Sequence, residues 1–186
     1  MMKKTFRLLK NVAIFIAVIW AVFVVNLVTP FYDFNQLGII PRNPQGLIGI
    51  ILSPFLHANI AHIVSNTVPL FVLTFLLYQF YRSKAQKVMI ILTLMTGLLV
   101  WLFARSACHI GASGLIYALA SFIITAGLFS RKLTTILLSV LILIVYGGLA
   151  FGVFPRSFHI SWESHLLGVV AGISLAYLMF KMKKKI

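Results

Sequence analysis

The stretch Gly-Ala-Ser-Gly-Leu-Ile-Tyr-Ala-Leu-Ala-Ser-Phe-Ile-Ile-Thr-Ala-Gly-Leu-Phe-Ser, residues 111–130, carries no charge until Arg131 closes it. A segment of this kind has to be buried, and the rest of the chain leaves only a bilayer to bury it. The 186 residues are 61% hydrophobic and 10% charged, more apolar surface than a soluble globule of that size can hide. Crossing about 30 Å of hydrocarbon takes roughly 20 apolar residues in a helix. Six stretches qualify, near residues 11–29, 57–81, 88–104, 112–129, 133–153 and 162–180. Their apolar runs are continuous rather than alternating, which predicts helices, with every backbone polar group satisfied inside the segment, over the strands of a barrel. The expectation is an all-α integral membrane protein: one six-helix domain over residues 1–186, with a basic N-terminus at 1–10 and a basic tail at 181–186.

The formal net charge of +14 would suit a nucleic-acid partner if it were gathered on one surface, but it is distributed by topology. Lys3, Lys4, Arg7 and Lys10 precede the first stretch; Arg82, Lys84 and Lys87 sit in one break, Arg131 and Lys132 in another, and Lys181, Lys183, Lys184 and Lys185 end the chain. The alternate breaks hold only Arg42, Arg105 and Arg156, together with both acids, Asp33 and Glu163. The positive-inside bias therefore places both termini in the cytoplasm, and the basic rims favour anionic headgroups over nucleic acid. The first stretch is long for a signal-peptide core, and Asn26 to Pro30 is no cleavage site, so it is expected to remain as a helix. The lone Cys108 excludes an intramolecular disulfide. The only long break, Pro30 to Leu56, is external, punctuated by Pro30, Pro41, Pro44 and Pro54, and apolar enough from Gly46 to Leu52 to lie in the interface. A break of this length is expected to be functional or poorly ordered.

With the topology set, the depth of polar residues follows at about 1.5 Å per helical residue. Counted from the cytoplasmic charges, Ser113 lies roughly 27 Å up and His165 and Asn66 roughly 24 Å. All three fall in the outer part of the membrane. His62 and Asn66 share one helical face, Ser113 and Tyr117 another, and His165, Gly168 and Gly172 form a third stripe. Glycines on the histidine face admit a close neighbour, the packing membrane helices use in place of a hydrophobic driving force. If the fourth and sixth helices pack along that stripe, Ser113 and His165 can meet as nucleophile and base.

Each signal has a plainer reading. Gly-x-Ser-Gly is a common packing surface, a membrane histidine is commonly an interhelical donor, and His62 with Asn66 could be glue between helices. Tyr117 reads as a core aromatic, and His109 and His159, in external breaks, are expected to be solvated. Metal chemistry has little support: His57 and His62 are five apart, there is no His-Glu-x-x-His run, and no carboxylate lies within a span beyond Glu163 at the mouth of the last, too few to complete a ligand set. Paired intramembrane aspartates are absent, which excludes an aspartyl protease. Glu163 is two residues from His165, about 200° away on a helix, so a Ser-His dyad is expected rather than a triad.

Three linked motifs carry a resemblance. His57-Ala-Asn-Ile-Ala-His62-Ile-Val-Ser-Asn66, Gly111-Ala-Ser113-Gly114-Leu-Ile-Tyr117 and Ser161-Trp-Glu-Ser-His165-Leu-Leu-Gly168-Val-Val-Ala-Gly172 resemble, in order and spacing, those of rhomboid serine proteases. The resemblance covers about Pro41 to Gly172. It implies that Ser113 is the nucleophile and His165 its base, that His62 and Asn66 help form the oxyanion hole, that Tyr117 packs beneath the histidine and that His57 supports the first loop. Gly111, Gly114, Gly168 and Gly172 would support this set. Many relatives carry Trp-Arg where Ile48 and Gly49 stand here, and an acid late in the second span that Phe75 to Tyr81 lacks.

The function expected is intramembrane cleavage of single-pass membrane proteins near the outer face, with no cofactor and no nucleic-acid partner, in a bacterial plasma membrane. Gly147 and Gly148 weaken the fifth helix, so it and the Phe154–Ile160 loop are the expected gate for substrate. Rival readings are an inert rhomboid-like binder of membrane helices, which loss of Ser113 or His165 would have signalled, and a small-solute transporter, which the absence of a detectable inverted repeat disfavours.

Overall fold

The computed structural model describes residues 2–155 and 160–180; Arg156, His159 and the basic tail at 181–186 lie outside the described residues. Seven α-helices follow in chain order: α1 (Met2–Val28), α2 (Gly49–Leu52), α3 (Ile60–Tyr81), α4 (Ala85–Phe103), α5 (Ser113–Ser130), α6 (Leu133–Tyr146) and α7 (Trp162–Phe180). The described residues form no strand, only an isolated antiparallel bridge between Ile39 and His109. Among the described residues four helical runs are long and apolar enough to cross a membrane: Leu8–Val28, Ile60–Phe103, Ser113–Ser130 and Trp162–Phe180. The second of these contains both α3 and α4, joined by a 3₁₀ turn at Arg82–Lys84 in which Arg82 takes φ +42°. The first turn of α3 and the C-terminal half of α4 both lie against the stretch that opens α5: a Cβ on Gly111 would meet His62, and a Cβ on Gly114 would meet Thr96. The two helices therefore run in opposite directions.

The fifth apolar stretch differs from the sequence expectation. Its α-helix ends at Tyr146, and Gly147–Val153 continue as a 3₁₀ helix. Two successive glycines weaken the α-helix there, and hydropathy does not distinguish the two helical forms.

At the centre stands α5, with Ala118, Leu119, Phe122, Ile123 and Ala126 wholly buried. Its small residues let neighbours approach on every side. On one side Gly168 and Gly172 of α7 face it so closely that a Cβ on Gly168 would overlap the Gly114 carbonyl oxygen, and one on Gly172 the Ala118 carbonyl oxygen. On the other, Gly127 leaves room for Ser139 of α6, whose hydroxyl is wholly buried and donates to the Thr135 carbonyl (2.9 Å).

The long break between the first two apolar stretches is packed rather than loose. It holds 3₁₀ turns at Phe34–Leu37, Pro44–Leu47 and Ser53–Phe55 besides α2. Gly49, at the place where many of the resembled proteases have Arg, lies flat against the Gly38 backbone and has no space for a side chain. The anchoring comes from Arg42 instead. Its guanidinium donates to the Leu102 and Ala104 carbonyls at the C-terminal end of α4 (3.1 and 2.8 Å), while Trp101 Nε1 donates to the Asn43 carbonyl (2.9 Å). A cation capping the free carbonyls of a helix C-terminus satisfies both their hydrogen bonding and the helix dipole.

Candidate active site

Ser113 is the first residue of α5. The chain reaches it through Gly111, whose φ of +107° is open to glycine and strained for other residues, and whose N–H is tied to the Ser53 carbonyl (2.9 Å). The missing Cβ is also required sterically, because it would lie 2.5 Å from His62 Nε2. The His62 imidazole thus rests on the Gly111 backbone. No side chain caps the start of α5, so its first N–H groups are left for another acceptor.

Opposite Ser113 lies His165, buried in the first turn and a half of α7, with Nε2 2.8 Å from Ser113 Oγ. Its other nitrogen, Nδ1, is 2.8 Å from the carbonyl oxygen of Gly152 in the 3₁₀ segment. A carbonyl only accepts, so the neutral ring carries its proton on Nδ1, and the bare Nε2 accepts from the serine hydroxyl. Tyr117, one turn below Ser113, stacks on the imidazole with centroids 4.3 Å apart and planes 6° from parallel. The ring is fixed in direction by one hydrogen bond and in plane by one aromatic face.

The start of α3 supplies the rest. Asn59 caps it, accepting from His62 N–H at 2.9 Å, which orients the first turn and with it the His62 and Asn66 face. Asn66 is buried and donates one Nδ2 hydrogen to His57 Nε2 (3.1 Å). Its Nδ2 lies 3.7 Å from the place a Gly111 Cβ would occupy, so its second hydrogen is available beside the segment leading to Ser113. His57 is itself wholly enclosed and meets His62 edge to face at 4.9 Å. It buttresses Asn66 directly, at the end of the long break before α3.

Two other candidates fall elsewhere. Glu163 takes up neither His165 nitrogen, since these meet Gly152 and Ser113, and is paired with Arg105 (Oε1 to Nη1 3.3 Å). His109, expected to be solvated, is 2% exposed. The break containing it folds back to pair with Ile39, and its two nitrogens meet Ser161 Oγ (2.5 Å) and the Arg105 carbonyl (3.0 Å). Burial lowers its pKa below 6.5. Ser161 in turn bonds Ser164 (2.5 Å), so a polar layer ties the break before α5 to the start of α7. Cys108 donates to the Asn35 carbonyl (3.2 Å), and burial raises its pKa; it has little of the thiolate that nucleophilic chemistry requires. Among the described residues no three His, Cys, Asp or Glu side chains are grouped to hold a metal ion.

The Gly152 carbonyl and the Arg105–Glu163 pair have no counterpart in the sequence reading. The first is a backbone group, announced in the sequence only by a third glycine after Gly147 and Gly148.

Comparison with known proteins adds a family and relatives. The family model of the Rhomboid domain matches residues 44–182. An uncharacterized protein of Mycobacterium bovis and one of Mycobacterium tuberculosis are each 40% identical to this chain over 157 residues, 80% of its length and 65% of theirs. An uncharacterized protein of Mycobacterium leprae is 33% identical over 180 residues, 92% of this chain and 71% of the relative. The chain thus spans just under two thirds of the length of the first two relatives.

Proposed function

Because this chain belongs to the rhomboid family of integral membrane proteins, we propose that it is an intramembrane serine endopeptidase, cutting the spanning segments of single-pass membrane proteins near the outer face. The observation that carries the reading is the 2.8 Å contact between Ser113 Oγ and a His165 Nε2 whose partner nitrogen is already engaged. An unassisted serine hydroxyl is too weak a nucleophile at neutral pH. Here the proton leaves to Nε2 as Oγ attacks the peptide carbonyl, and the imidazolium then returns it to the departing amine. The oxyanion takes the free Nδ2 hydrogen of Asn66, the His62 ring and the uncapped N–H groups of α5, where the helix dipole adds to the attraction. Water hydrolyses the acyl-enzyme through the same base.

The membrane arrangement proposed has six crossings, by α1, α3, α4, α5, α6 with its 3₁₀ extension, and α7. The 14 residues of α6 give about 21 Å, and the 7 of the 3₁₀ segment add about 14 Å, enough for the hydrocarbon core. The basic breaks place both termini in the cytoplasm, and a bacterial plasma membrane is the host proposed, with no cofactor required. Substrate passes α6, which packs on α5 with one face while Leu133, Leu137, Leu141, Ile144 and Val145 stay exposed on the other. Attack needs a carbonyl free of helical pairing, so Gly, Pro or small residues are expected near the cut.

The test is covalent labelling of the purified protein by a fluorophosphonate, comparing wild type with Ser113→Ala and His165→Ala. Labelling that vanishes in both variants supports the reading. A folded wild-type sample that does not label refutes it in favour of an inert binder of membrane helices.

A further inference from the structure

We propose that the backbone carbonyl of Gly152 is the positioning group of this site, holding His165 in the tautomer whose bare Nε2 faces Ser113. The proposal rests on the reading of Ser113 and His165 as nucleophile and base. In a Ser-His-Asp triad a carboxylate performs this task, and neither acid of this chain is placed to do so. Asp33 caps the Phe34–Leu37 turn through the Asn35 N–H and accepts from Asn26 Nδ2, and Glu163 is held by Arg105. The Gly152 oxygen, 2.8 Å from Nδ1, takes the place of the acid.

The residue type at 152 follows from the same geometry. A Cβ there would overlap the Tyr117 hydroxyl and stand 3.3 Å from His165 Nδ1. Any side chain would therefore push the segment off the imidazole and carry the carbonyl with it. The start of the carrier is open: in Gly147–Val153 a Cβ on either Gly147 or Gly148 would meet nothing within 4 Å, and 3₁₀ hydrogen bonds have poorer geometry than α-helical ones. A shift of about 1 Å takes Nδ1 beyond hydrogen-bond range. The His165 tautomer thus reports how closely this segment sits over the site.

The experiment records imidazole nitrogen spectra of protein labelled with ¹⁵N-histidine, with the His165 signals identified by their loss in His165→Gln. Fluorophosphonate labelling rates are measured on the same samples. Wild type should carry the His165 proton on Nδ1. In Gly152→Ala the Nε2–H form should appear, and labelling should slow at least about tenfold, below the roughly 10⁴-fold ceiling set by a wholly wrong tautomer. Adding Tyr117→Phe removes the hydroxyl that the new methyl strikes. The double variant should regain the Nδ1 proton and much of the lost rate, judged against Tyr117→Phe alone. A wild-type proton on Nε2 overturns the proposal, even if Gly152→Ala does not fold, and so does a folded Gly152→Ala with unchanged tautomer and rate. Wild type with the proton on Nδ1 but no labelling refutes the protease reading and supports the assignment of the carbonyl.

Discussion

Replacing Gly168 by alanine should disable the site without touching any group that reacts. A methyl there overlaps the Gly114 carbonyl oxygen, with the Ala118 nitrogen 3.3 Å away. Both are backbone atoms of α5, so no side-chain rotation relieves the clash. Restoring an ordinary carbon–oxygen contact requires α5 and α7 to part by about 1 Å, at an overpacking cost of about 1–3 kcal/mol. Gly168 is one turn from His165 and Gly114 is adjacent to Ser113, so the displacement is delivered where the 2.8 Å contact is made. A misplacement of about 1 Å costs about 10² in rate. The opposite side of the seam provides the control: a methyl on Gly114 meets the Ser164 carbonyl oxygen and Thr96 Cγ2 at 3.2 Å each, a few tenths of an ångström too close, so Gly114→Ala should lose only a few-fold. The assay is the second-order rate of fluorophosphonate labelling, paired with the thermal midpoint in detergent. The reasoning fails if Gly168→Ala labels within about twofold of wild type at an unchanged midpoint, or if Gly114→Ala is the slower of the two.

Asn66→Ala should lower the labelling rate by about 10² to 10³, the usual cost of one oxyanion donor, while leaving measurable activity that Ser113→Ala lacks; an undiminished rate would remove Asn66 from the oxyanion site. Arg42→Ala should reduce stability by about 1–2 kcal/mol through loss of the cap on α4, with Arg42→Lys recovering only part because a single ammonium does not span the Leu102 and Ala104 carbonyls; an unchanged thermal midpoint in Arg42→Ala would contradict this. His109 is held below 6.5 by burial, so the folded protein binds fewer protons than the unfolded one there. Its contribution is therefore present above about pH 6.5 and is lost as pH falls below that through the lower folded-state value. His109→Gln should flatten the acid side of a stability-against-pH curve, and parallel curves for variant and wild type would refute the assignment.

The central packing is legible in the sequence because it is written in side-chain type and spacing. Gly168 and Gly172 lie on the face of His165, and small residues on a membrane helix have few uses besides close approach. Counting inward from Arg131 and Lys181 brings Ser113 and His165 to one level because helical rise is constant. What is not legible depends on backbone conformation or on distant chain. The run from Leu133 to Val153 is uncharged throughout and apolar on both sides of Gly147, so the change to 3₁₀ there leaves no trace in hydropathy. His109 reads as a loop residue until Ile39, 70 residues away, pairs with it. Arg42 reads as one external cation; its φ of +59° and its reach to the end of α4 are properties of the folded break.

The choice of a carbonyl rather than a carboxylate beside His165 has a physical rationale in a membrane. A charged side chain at the depth of Ser113 carries a desolvation cost that a protein can offset only with a partner charge, and a second cation beside the base would oppose formation of the imidazolium. A peptide carbonyl is neutral, is already present and satisfies the same ring nitrogen. Its weakness is that a dipole stabilises an imidazolium less than a full negative charge does, so under the proposed mechanism more of the barrier falls on the oxyanion donors. That burden matches where this chain concentrates its polar groups. Asn66, His62 and His57 cluster against Gly111 at the mouth of an uncapped helix, while Glu163 is paired with Arg105, whose guanidinium also donates to the Ile160 carbonyl.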